Sequence, residues 1–216
     1  MNADPLREIT EEDIRVQRLG AVLDSRAEDP RAQTDAGFIC ISRRVSLTDE
    51  TEVWIRPLRL NDREAFTELY GRLGEHSRYQ RFFACPDQLP ASWADGLLEP
   101  SPRRLGLVAE PLDRPHRIVA LADYTVSADA ESAEVGLLVE DAWQHNGLGR
   151  ALFNHLLVLG ESRGIRSFVA YVHWDNLRVL KTLDRETTIK SRSAAGGVVK
   201  VVFTTSIAQR ASHAHS

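Results

Sequence analysis

The sequence predicts one domain of the α/β or α+β class, in which helices flank a central mixed sheet. Three observations predict this class. The chain has 216 residues, of which 43% are hydrophobic and 27% are charged, and these values are near the averages of soluble globular domains. Segments with the period-two pattern of strands alternate with segments of helical period. Three strand-like segments follow one another directly, which favours an antiparallel meander within the sheet.

The N-terminal part differs in charge from the rest of the chain. Residues 1–50 carry 11 acidic residues and 7 arginines, whereas the remainder balances 20 acidic against 20 basic residues. Thr10-Glu11-Glu12-Asp13 indicates a helix start, but the apolar stripe that follows is thin. We therefore expect an acidic extension over residues 1–50, partly helical or flexible, a folded domain over residues 51–206 and a flexible tail over residues 207–216.

The first part of the domain combines strands with an amphipathic helix. Strand-like segments cover residues 38–41 and 52–60. Asn61-Asp62 offers an N-cap for a helix that ends near Gly74. The apolar residues at helical spacing in it are Phe66, Leu69, Tyr70 and Leu73. The aromatic and basic segment Ser77–Phe83 is predicted to continue as a second short helix or turn.

The remaining elements are predicted from the same patterns. They are strands at residues 105–110, 117–126 and 133–139, a helix at 148–162, a strand at 167–172, a helix from an Asp175 cap to about Arg185, and strands at 187–192 and 198–205. In the last helix, Leu177, Leu180 and Leu183 are the expected inward residues. Gly196-Gly197 marks the turn between the final two strands.

Composition excludes several functional classes. The net charge of -4 argues against a nucleic-acid binder, which needs a basic surface. Cys40 and Cys85 are far apart and outside any CxxC, so they form neither a disulfide framework nor a four-ligand zinc site. No apolar stretch approaches the roughly 20 residues of a membrane span. We therefore expect a cytoplasmic protein that uses no metal and binds neither nucleic acid nor membrane.

The loop around Gln144 carries the most specific chemistry. Gly147 and Gly149 allow a backbone to approach a ligand closely, and the N-terminal amides of the following helix offer donors and a positive dipole to a phosphate. A dinucleotide-binding GxGxxG would need a small residue where Leu152 stands, and a P-loop would need Lys where Arg150 stands. What remains is Gln-x-x-Gly-x-Gly, which forms either a tight turn before a helix or a phosphate-binding loop.

The position of this motif in the chain resembles the acetyl-CoA-binding core of the GNAT superfamily of N-acetyltransferases, over about residues 51–205. Gln144-x-x-Gly147-x-Gly149 follows the third meander strand and precedes a helix, a strand and Asp175-Asn176 at another helix start. Three further parts resemble the bacterial Pat-type protein lysine acetyltransferases. They are Val53–Leu58 with Asp62, Ser77–Phe83, and Ala133–Val135 before Trp143-Gln144.

The resemblance implies a GNAT-like acyl-CoA N-acyltransferase fold with acetyl-CoA as co-substrate. It also implies that the helix N-terminal amides hold the CoA pyrophosphate and that the strand before the loop pairs with the pantetheine arm. The implied cofactor-binding residues are Leu137, Leu138, Val139, Gln144, Gly147, Leu148, Gly149, Arg150 and Asn176. For Asn176 the alternative is a simple helix-start residue beside an Asp175 cap.

Acetyl transfer to an amine requires a base, because a free lysine amine with a pKa near 10.4 is almost fully protonated at neutral pH. Glu134 is the candidate: it is an acid in an otherwise apolar strand and matches the general-base position of the family. The alternative is an outward-facing strand glutamate. Weaker candidates, since strand ends usually carry solvated acids, are Glu110, Glu131 and Asp123. A backbone N–H near Leu137 or Leu138 would meet the oxyanion.

The sequence departs from the family pattern near its C-terminus. Leu183 stands where many members place a tyrosine that protonates the departing thiolate, and Thr187-Thr188 replaces the usual Gly-aromatic pair. The Pat-like proteins also tend to lack this tyrosine. His173 could act near the thioester, although a lone histidine at a strand end is more often structural.

Three functions remain open from the sequence. The leading one is acetylation of a protein lysine. The second is acetylation of a small amine, and the third is acyl-CoA sensing by a catalytically weak module. The acceptor is not determined, because acceptor loops vary around a fixed cofactor site, and a homodimer is left open.

Overall fold

The computed structural model describes residues 41–205, apart from residues 129 and 131. In this part of the chain, eight strands form one sheet and five helices flank it. The strands are β1 (Arg43–Ser46), β2 (Glu52–Pro57), β3 (Arg104–Pro111), β4 (Ala120–Val126), β5 (Ser132–Val139), β6 (Ser167–His173), β7 (Thr187–Ala195) and β8 (Val198–Thr205). The helices are α1 (Arg63–Gly71), α2 (Glu75–Phe82), α3 (Ala91–Leu98), α4 (Leu148–Ser162) and α5 (Leu177–Glu186).

The sheet is mixed, as the sequence predicts. Its strand order is β1-β2-β3-β4-β5-β6-β8-β7. Neighbouring strands are antiparallel from β1 to β5 and again across β6, β8 and β7, whereas β5 and β6 are parallel. A parallel pair needs a crossover connection, and α4 provides it. The predicted meander of three strands corresponds to β3, β4 and β5.

Each face of the sheet has its own apolar core. Helices α1, α2 and α3 pack on one face through residues that include Phe66, Phe82 and Leu97. Helices α4 and α5 pack on the other face. The leucines predicted to face inward from α4, namely Leu152, Leu156, Leu157 and Leu159, are all buried. None of the helices in the described part of the chain is long and apolar enough to cross a membrane.

Several element predictions need correction. The strand predicted from residue 117 begins at Ala120, and Leu177, an expected inward residue of the last helix, is 59% exposed. The structure adds β1, which precedes residue 51, and α3, for which no helix was predicted. The predicted helix start at Thr10, and the strand at residues 38–41 apart from Ile41, lie outside the described residues.

A buried ion cluster joins β2, β3 and the start of α1. Arg56 donates two hydrogen bonds to the Asp62 carboxylate, with N–O distances of 2.7 and 2.8 Å, and also contacts Glu110. Asp62 further accepts from the Arg59 amide at 2.7 Å. Asp62 is the N-cap residue of α1, as predicted, but its side chain makes no cap hydrogen bond. One prediction is wrong: Glu110 is not a solvated strand-end acid. A buried carboxylate needs a charged partner, and Arg56 is the partner of both.

Helix α4 also contacts the first of the described residues, through His155. His155 is 4% exposed, and its Nε2 lies 3.0 Å from the Ile41 carbonyl oxygen. Burial lowers the pKa of His155; the contact with Ile41 opposes this shift, and Arg43 adds to it. Histidine 155 is therefore neutral in the folded protein over a pH range in which the unfolded chain is already protonated.

This difference predicts a pH-dependent stability. Because the unfolded chain binds the extra proton as the pH falls through about 6.5, the ordinary histidine pKa, folding stability should decrease toward acid pH. We expect His155→Gln, whose amide can still donate to Ile41, to flatten part of this decrease. Urea unfolding at roughly pH 7.5 and 5.5, on either side of that pKa, measures it. An identical pH slope in the two proteins would contradict the assignment to His155.

Candidate active site

Strands β5 and β6 separate after a short stretch of pairing. Their register joins Ser132 to Ser167, Ala133 to Phe168 and Glu134 to Val169. Within the described residues no pair joins Val135–Val139 to the rest of β6. The sheet therefore opens into a gap that begins at Glu134 and widens toward the loop before α4.

The backbone groups along one edge of β5 face this gap. The Glu140 amide donates to the Val119 carbonyl at 2.9 Å, toward β4. Because successive residues of a strand point their backbone groups to opposite edges, the N–H and C=O groups of Val135, Leu137 and Val139 point to the gap. Those of Leu138 point to β4, with which it pairs through Leu121. The gap thus offers a strand edge to an extended ligand.

The loop after β5 ends at the N-terminus of α4. Gly147 has φ 89°, a left-handed conformation that favours glycine. The Ala151 amide donates to the Gly147 carbonyl at 3.0 Å, so the amides from Gly147 to Arg150 precede the helical ladder. One of them is already paired, because the Asn146 Oδ1 accepts from the Leu148 amide at 3.2 Å.

The side chains of two predicted cofactor-binding residues are engaged within the protein. The Gln144 Nε2 lies 3.1 Å from each of the Val139 carbonyl oxygen, the Ser77 Oγ and the Asp141 Oδ1. Gln144 thereby braces the loop against α2. The Arg150 Nε pairs with Glu186 of α5 at 2.9 Å, so its backbone amide is the group that the loop offers to a ligand.

Glu134 lies at the last paired position of β5, where the gap begins. Its side chain is exposed, and no hydrogen bond to its carboxylate is found among the described residues. The neighbouring protein nevertheless desolvates the carboxylate, and this desolvation raises its pKa. Asp123 raises the pKa further, while Arg81 and Lys200 lower it.

Arg81 and Asp123 form an ion pair beside Glu134. The Arg81 Nη2 lies 3.0 Å from the Asp123 Oδ1, and the guanidinium also stacks over Trp93, 4.9 Å from the ring centroid. Both charged groups lie over Gly136, where a Cβ would overlap them. Asp123, a weaker base candidate from the sequence, is therefore held in an ion pair. Glu131, the other one, is outside the described residues.

Lys200 lies on the same face of the sheet as Glu134. Glu134 pairs with Val169, and Tyr171, two residues farther along β6, pairs with Lys200 of β8. Paired residues share a face, as do residues two apart in a strand. The Lys200 Nζ lies 5.7 Å from the centroid of the Tyr171 ring.

The connection from β6 to α5 contains Asn176, and here the predicted Asp175 cap is wrong. Asn176 is the N-cap of α5, and its Oδ1 accepts from the Val179 amide at 3.2 Å. The Asp175 Oδ1 instead lies 2.6 Å from the His173 Nδ1 and accepts from the Gln80 Nε2 at 2.7 Å. Both contacts favour the ionised carboxylate and lower the pKa of Asp175, and the contact with His173 has the larger effect.

The two family departures occupy structural positions. Leu183 is 2% exposed and packs in the core under α5. Thr187 starts β7 and donates from its Oγ1 to the Leu183 carbonyl at 2.6 Å. The last hairpin thus forms without a Gly-aromatic pair, with one register shift in β7 between Ile189 and Ser191.

Helix α2 contains most of the aromatic and basic segment Ser77–Phe83. Its side chains reach the loop, the ion pair and the far side of the gap. The contacts join Ser77 to Asp141, Arg78 to the Tyr70 ring, Gln80 to Asp175, Arg81 to Asp123, and Phe82 to Tyr70 and Trp93. Sequence reasoning singled out this segment but not the roles of its residues, because the partners Asp123, Asp141 and Asp175 are at least 42 residues away in the chain.

No cluster of three or more His, Cys, Asp or Glu side chains that could hold a metal ion is found within residues 41–128, 130 and 132–205. The gap between β5 and β6, the strand edge along it, the amides at the start of α4 and an unpaired carboxylate are the chemical groups that the site offers.

Comparison with known proteins agrees with this arrangement. The sequence model of the acetyltransferase (GNAT) family matches residues 63–185, more than half of the chain. The chain belongs to the GNAT acetyltransferase family. Enzymes of this family use acetyl-CoA as the acetyl donor. An acetyltransferase of Pseudomonas aeruginosa is 30% identical over 125 residues, which span 56% of this chain and 66% of that protein, just under two thirds of its length.

Two solved structures show the same GNAT fold. The GNAT domain of S. lividans PAT is 31% identical, with a TM-score of 0.68 over 76% of this chain and 96% of that one. A Salmonella typhimurium protein, YncA, was solved with its cofactor acetyl-CoA. It is 18% identical, with a TM-score of 0.51 over 69% of this chain and 90% of that one, and it supports the fold alone.

Proposed function

We propose that this GNAT protein is a cytoplasmic N-acetyltransferase that transfers the acetyl group of acetyl-CoA to a lysine of a protein acceptor. The observation that carries the proposal is the position of Glu134. It is a carboxylate without a hydrogen-bond partner among the described residues, at the point where β5 and β6 separate. A base at this place stands beside a ligand that runs along the open edge of β5.

The cofactor-binding groups lie in the loop before α4, along the edge of β5 and at Asn176. The amides of Gly147, Gly149 and Arg150 hold the pyrophosphate, while that of Leu148 is held by the Asn146 side chain. The helix dipole favours the negative charge of the pyrophosphate. The outward backbone groups of Leu137 and the amide of Val139, whose carbonyl accepts from Gln144, pair with the pantetheine arm. The amide nitrogen of Asn176, whose oxygen caps α5, is the group left to contact that arm. Gln144 supports the loop, and Leu138 supports β5 from the core.

Glu134 then acts on the acceptor amine. Its carboxylate removes a proton from the ammonium, and the neutral amine attacks the thioester carbonyl. An outward N–H of β5, that of Leu137, meets the oxyanion. The thiolate, with a pKa near 8.5, can leave with water as the acid, which suits a site where Leu183 replaces the tyrosine found in many relatives.

The rim of the gap favours a macromolecular acceptor. Tyr79, Trp174 and Leu177 are 37%, 61% and 59% exposed. Tyr79 and Trp174 lie at the end of β6, since both pack near the His173 ring. Leu177 is three residues beyond Trp174, at the start of α5. Exposed apolar side chains grouped in this way are typical of a surface that contacts another protein. A small amine would instead need an enclosed pocket.

Thiol release from acetyl-CoA tests this function. It is measured with lysine-bearing proteins and with a panel of small amines such as polyamines and amino acids. We expect turnover on at least one protein to exceed turnover on every small amine. Turnover confined to small amines would contradict the lysine assignment. Binding of acetyl-CoA without turnover on any amine would indicate an acyl-CoA-sensing module.

A further inference from the structure

The chain contains only three lysines, and they differ in their surroundings. Lys181, Lys190 and Lys200 are the lysines of the 216-residue sequence. Lys181 on α5 and Lys190 on β7 are exposed, whereas Lys200 on β8 is partly buried. Lys200 is therefore the one primary side-chain amine that the fold holds within the sheet surface next to the gap.

The register brings the Lys200 amine toward the candidate base. Lys200 is opposite Tyr171, and Tyr171 is two residues beyond Val169, the partner of Glu134. The Lys200 Nζ lies over the Tyr171 ring, 5.7 Å from its centroid. Tyr171 belongs to β6, the strand that borders the gap. The Lys200 amine thus lies beside Tyr171, on the face of the sheet that carries Glu134, and its charge acts on that carboxylate.

We propose that Lys200 is a modification site, acetylated by the active site of its own chain. This inference rests on the proposed function. Glu134 takes a proton from the Lys200 ammonium, and the neutral Nζ attacks the acetyl carbonyl of acetyl-CoA. An N–C bond forms, the C–S bond breaks, and CoA leaves as a thiolate. The attacking nitrogen releases its second proton, and the thiolate takes up this proton through water. The products are Nε-acetyl-Lys200 and free CoA.

The modification changes the charge around the base. The charged groups that act on Glu134 are Arg81, Asp123 and Lys200. Acetylation removes one of the two cations that lower the pKa of Glu134, while Asp123 and the surrounding protein still raise it. The acid limb of turnover on an external acceptor therefore moves to higher pH in the modified protein, and the enzyme adjusts its own pH range.

Peptide mass spectrometry of the full chain tests the proposal. The protein is incubated with acetyl-CoA, cleaved with a protease that does not cut at lysine, and the acetyl group is located. We expect acetylation of Lys200 to exceed that of Lys181 and Lys190, at a rate constant independent of protein concentration. Glu134→Gln should slow it by about 10²- to 10⁴-fold, as expected for loss of a general base. Lys181→Arg and Lys190→Arg are the matched controls and should leave acetylation of Lys200 unchanged.

Other outcomes separate this inference from the proposed function. Turnover on an external acceptor without acetyl-Lys200 would overturn the inference and leave the function intact. Equal labelling of the three lysines, unaffected by Glu134→Gln, would identify non-enzymatic acetylation and also overturn it. A rate constant that rises with protein concentration would show transfer between two copies and contradict the intramolecular route. Loss of all enzymatic acetylation, external and internal, would overturn both.

Discussion

Glu134→Gln is expected to lower turnover at neutral pH by about 10²- to 10⁴-fold while acetyl-CoA affinity persists. Glutamine keeps the shape of the side chain and removes only its ability to accept a proton. In the wild type, turnover should fall as the pH decreases through the raised pKa of Glu134, because the protonated carboxyl cannot act as a base. In the variant, the rate should instead rise with pH toward about 10.4, the ordinary pKa of the acceptor amine. Steady-state kinetics across pH measures both.

The free energy of unfolding gives an independent test of Glu134→Gln. Because the pKa of Glu134 is raised in the folded state, the folded protein disfavours the ionised carboxylate. Stability is therefore lost as the pH rises from about 4.3, the ordinary glutamate pKa, through the raised value. Glu134→Gln should be at least as stable as the wild type, with an advantage that grows over this range.

Glu161→Gln is the matched control for Glu134→Gln. Burial also raises the pKa of Glu161, but this residue is on α4, on the opposite face of the sheet. Its substitution should leave turnover unchanged. Near-normal turnover of Glu134→Gln at neutral pH would contradict the assignment of the base and direct attention to Asp123 or His173.

Gly149→Glu is expected to abolish acetyl-CoA binding, with a loss of at least about a hundredfold in Kd, or about 2.8 kcal/mol. A Cβ at residue 149 would lie 3.4 Å from Val139 and 3.5 Å from Leu137. A longer side chain therefore projects where the β5 edge meets the first turn of α4. Its carboxylate would also repel the pyrophosphate from the helix N-terminus. Isothermal calorimetry measures the affinity.

Two other variants of Gly149 separate the effect of side-chain bulk from the effect of charge. Gly149→Ala places its Cβ in ordinary van der Waals contact and should retain binding. Gly149→Gln adds the bulk without the charge and should fall between alanine and glutamate. Thermal unfolding of each variant checks that the fold is intact. Binding of acetyl-CoA by folded Gly149→Glu with wild-type affinity would remove the basis for placing the pyrophosphate at this loop.

The sequence predicts best the elements whose pattern is local. The helix predicted at residues 148–162 is α4, with the same bounds, because leucines at helical spacing and a glycine on each side define it. β1 is only four residues long and mostly exposed, so it has no apolar period. α3 is eight residues long and lies between Pro90 and Pro100, too short for a periodic signal to stand out.

In the candidate site, too, the sequence predicts the part whose pattern is local and misses contacts between distant residues. The loop from Gln144 to Arg150 could be found because its glycines are only two residues apart in the sequence. The surroundings of Glu134 could not, since Arg81 and Asp123 are 42 residues apart in the chain and meet only when α2 packs on the sheet. Asp175 and Asn176 are both good cap residues, and the choice between them is made by His173 and Gln80, which engage the aspartate.

The short pairing between β5 and β6 has a consequence for the sheet as a whole. Five strands stand on one side of this junction and three on the other, and only three residue pairs join them. The remaining edge of β5 carries backbone groups that a pantetheine arm, itself an amide chain, can satisfy. On this view the substrate serves as a missing strand, and it completes the architecture of the enzyme each time that it binds.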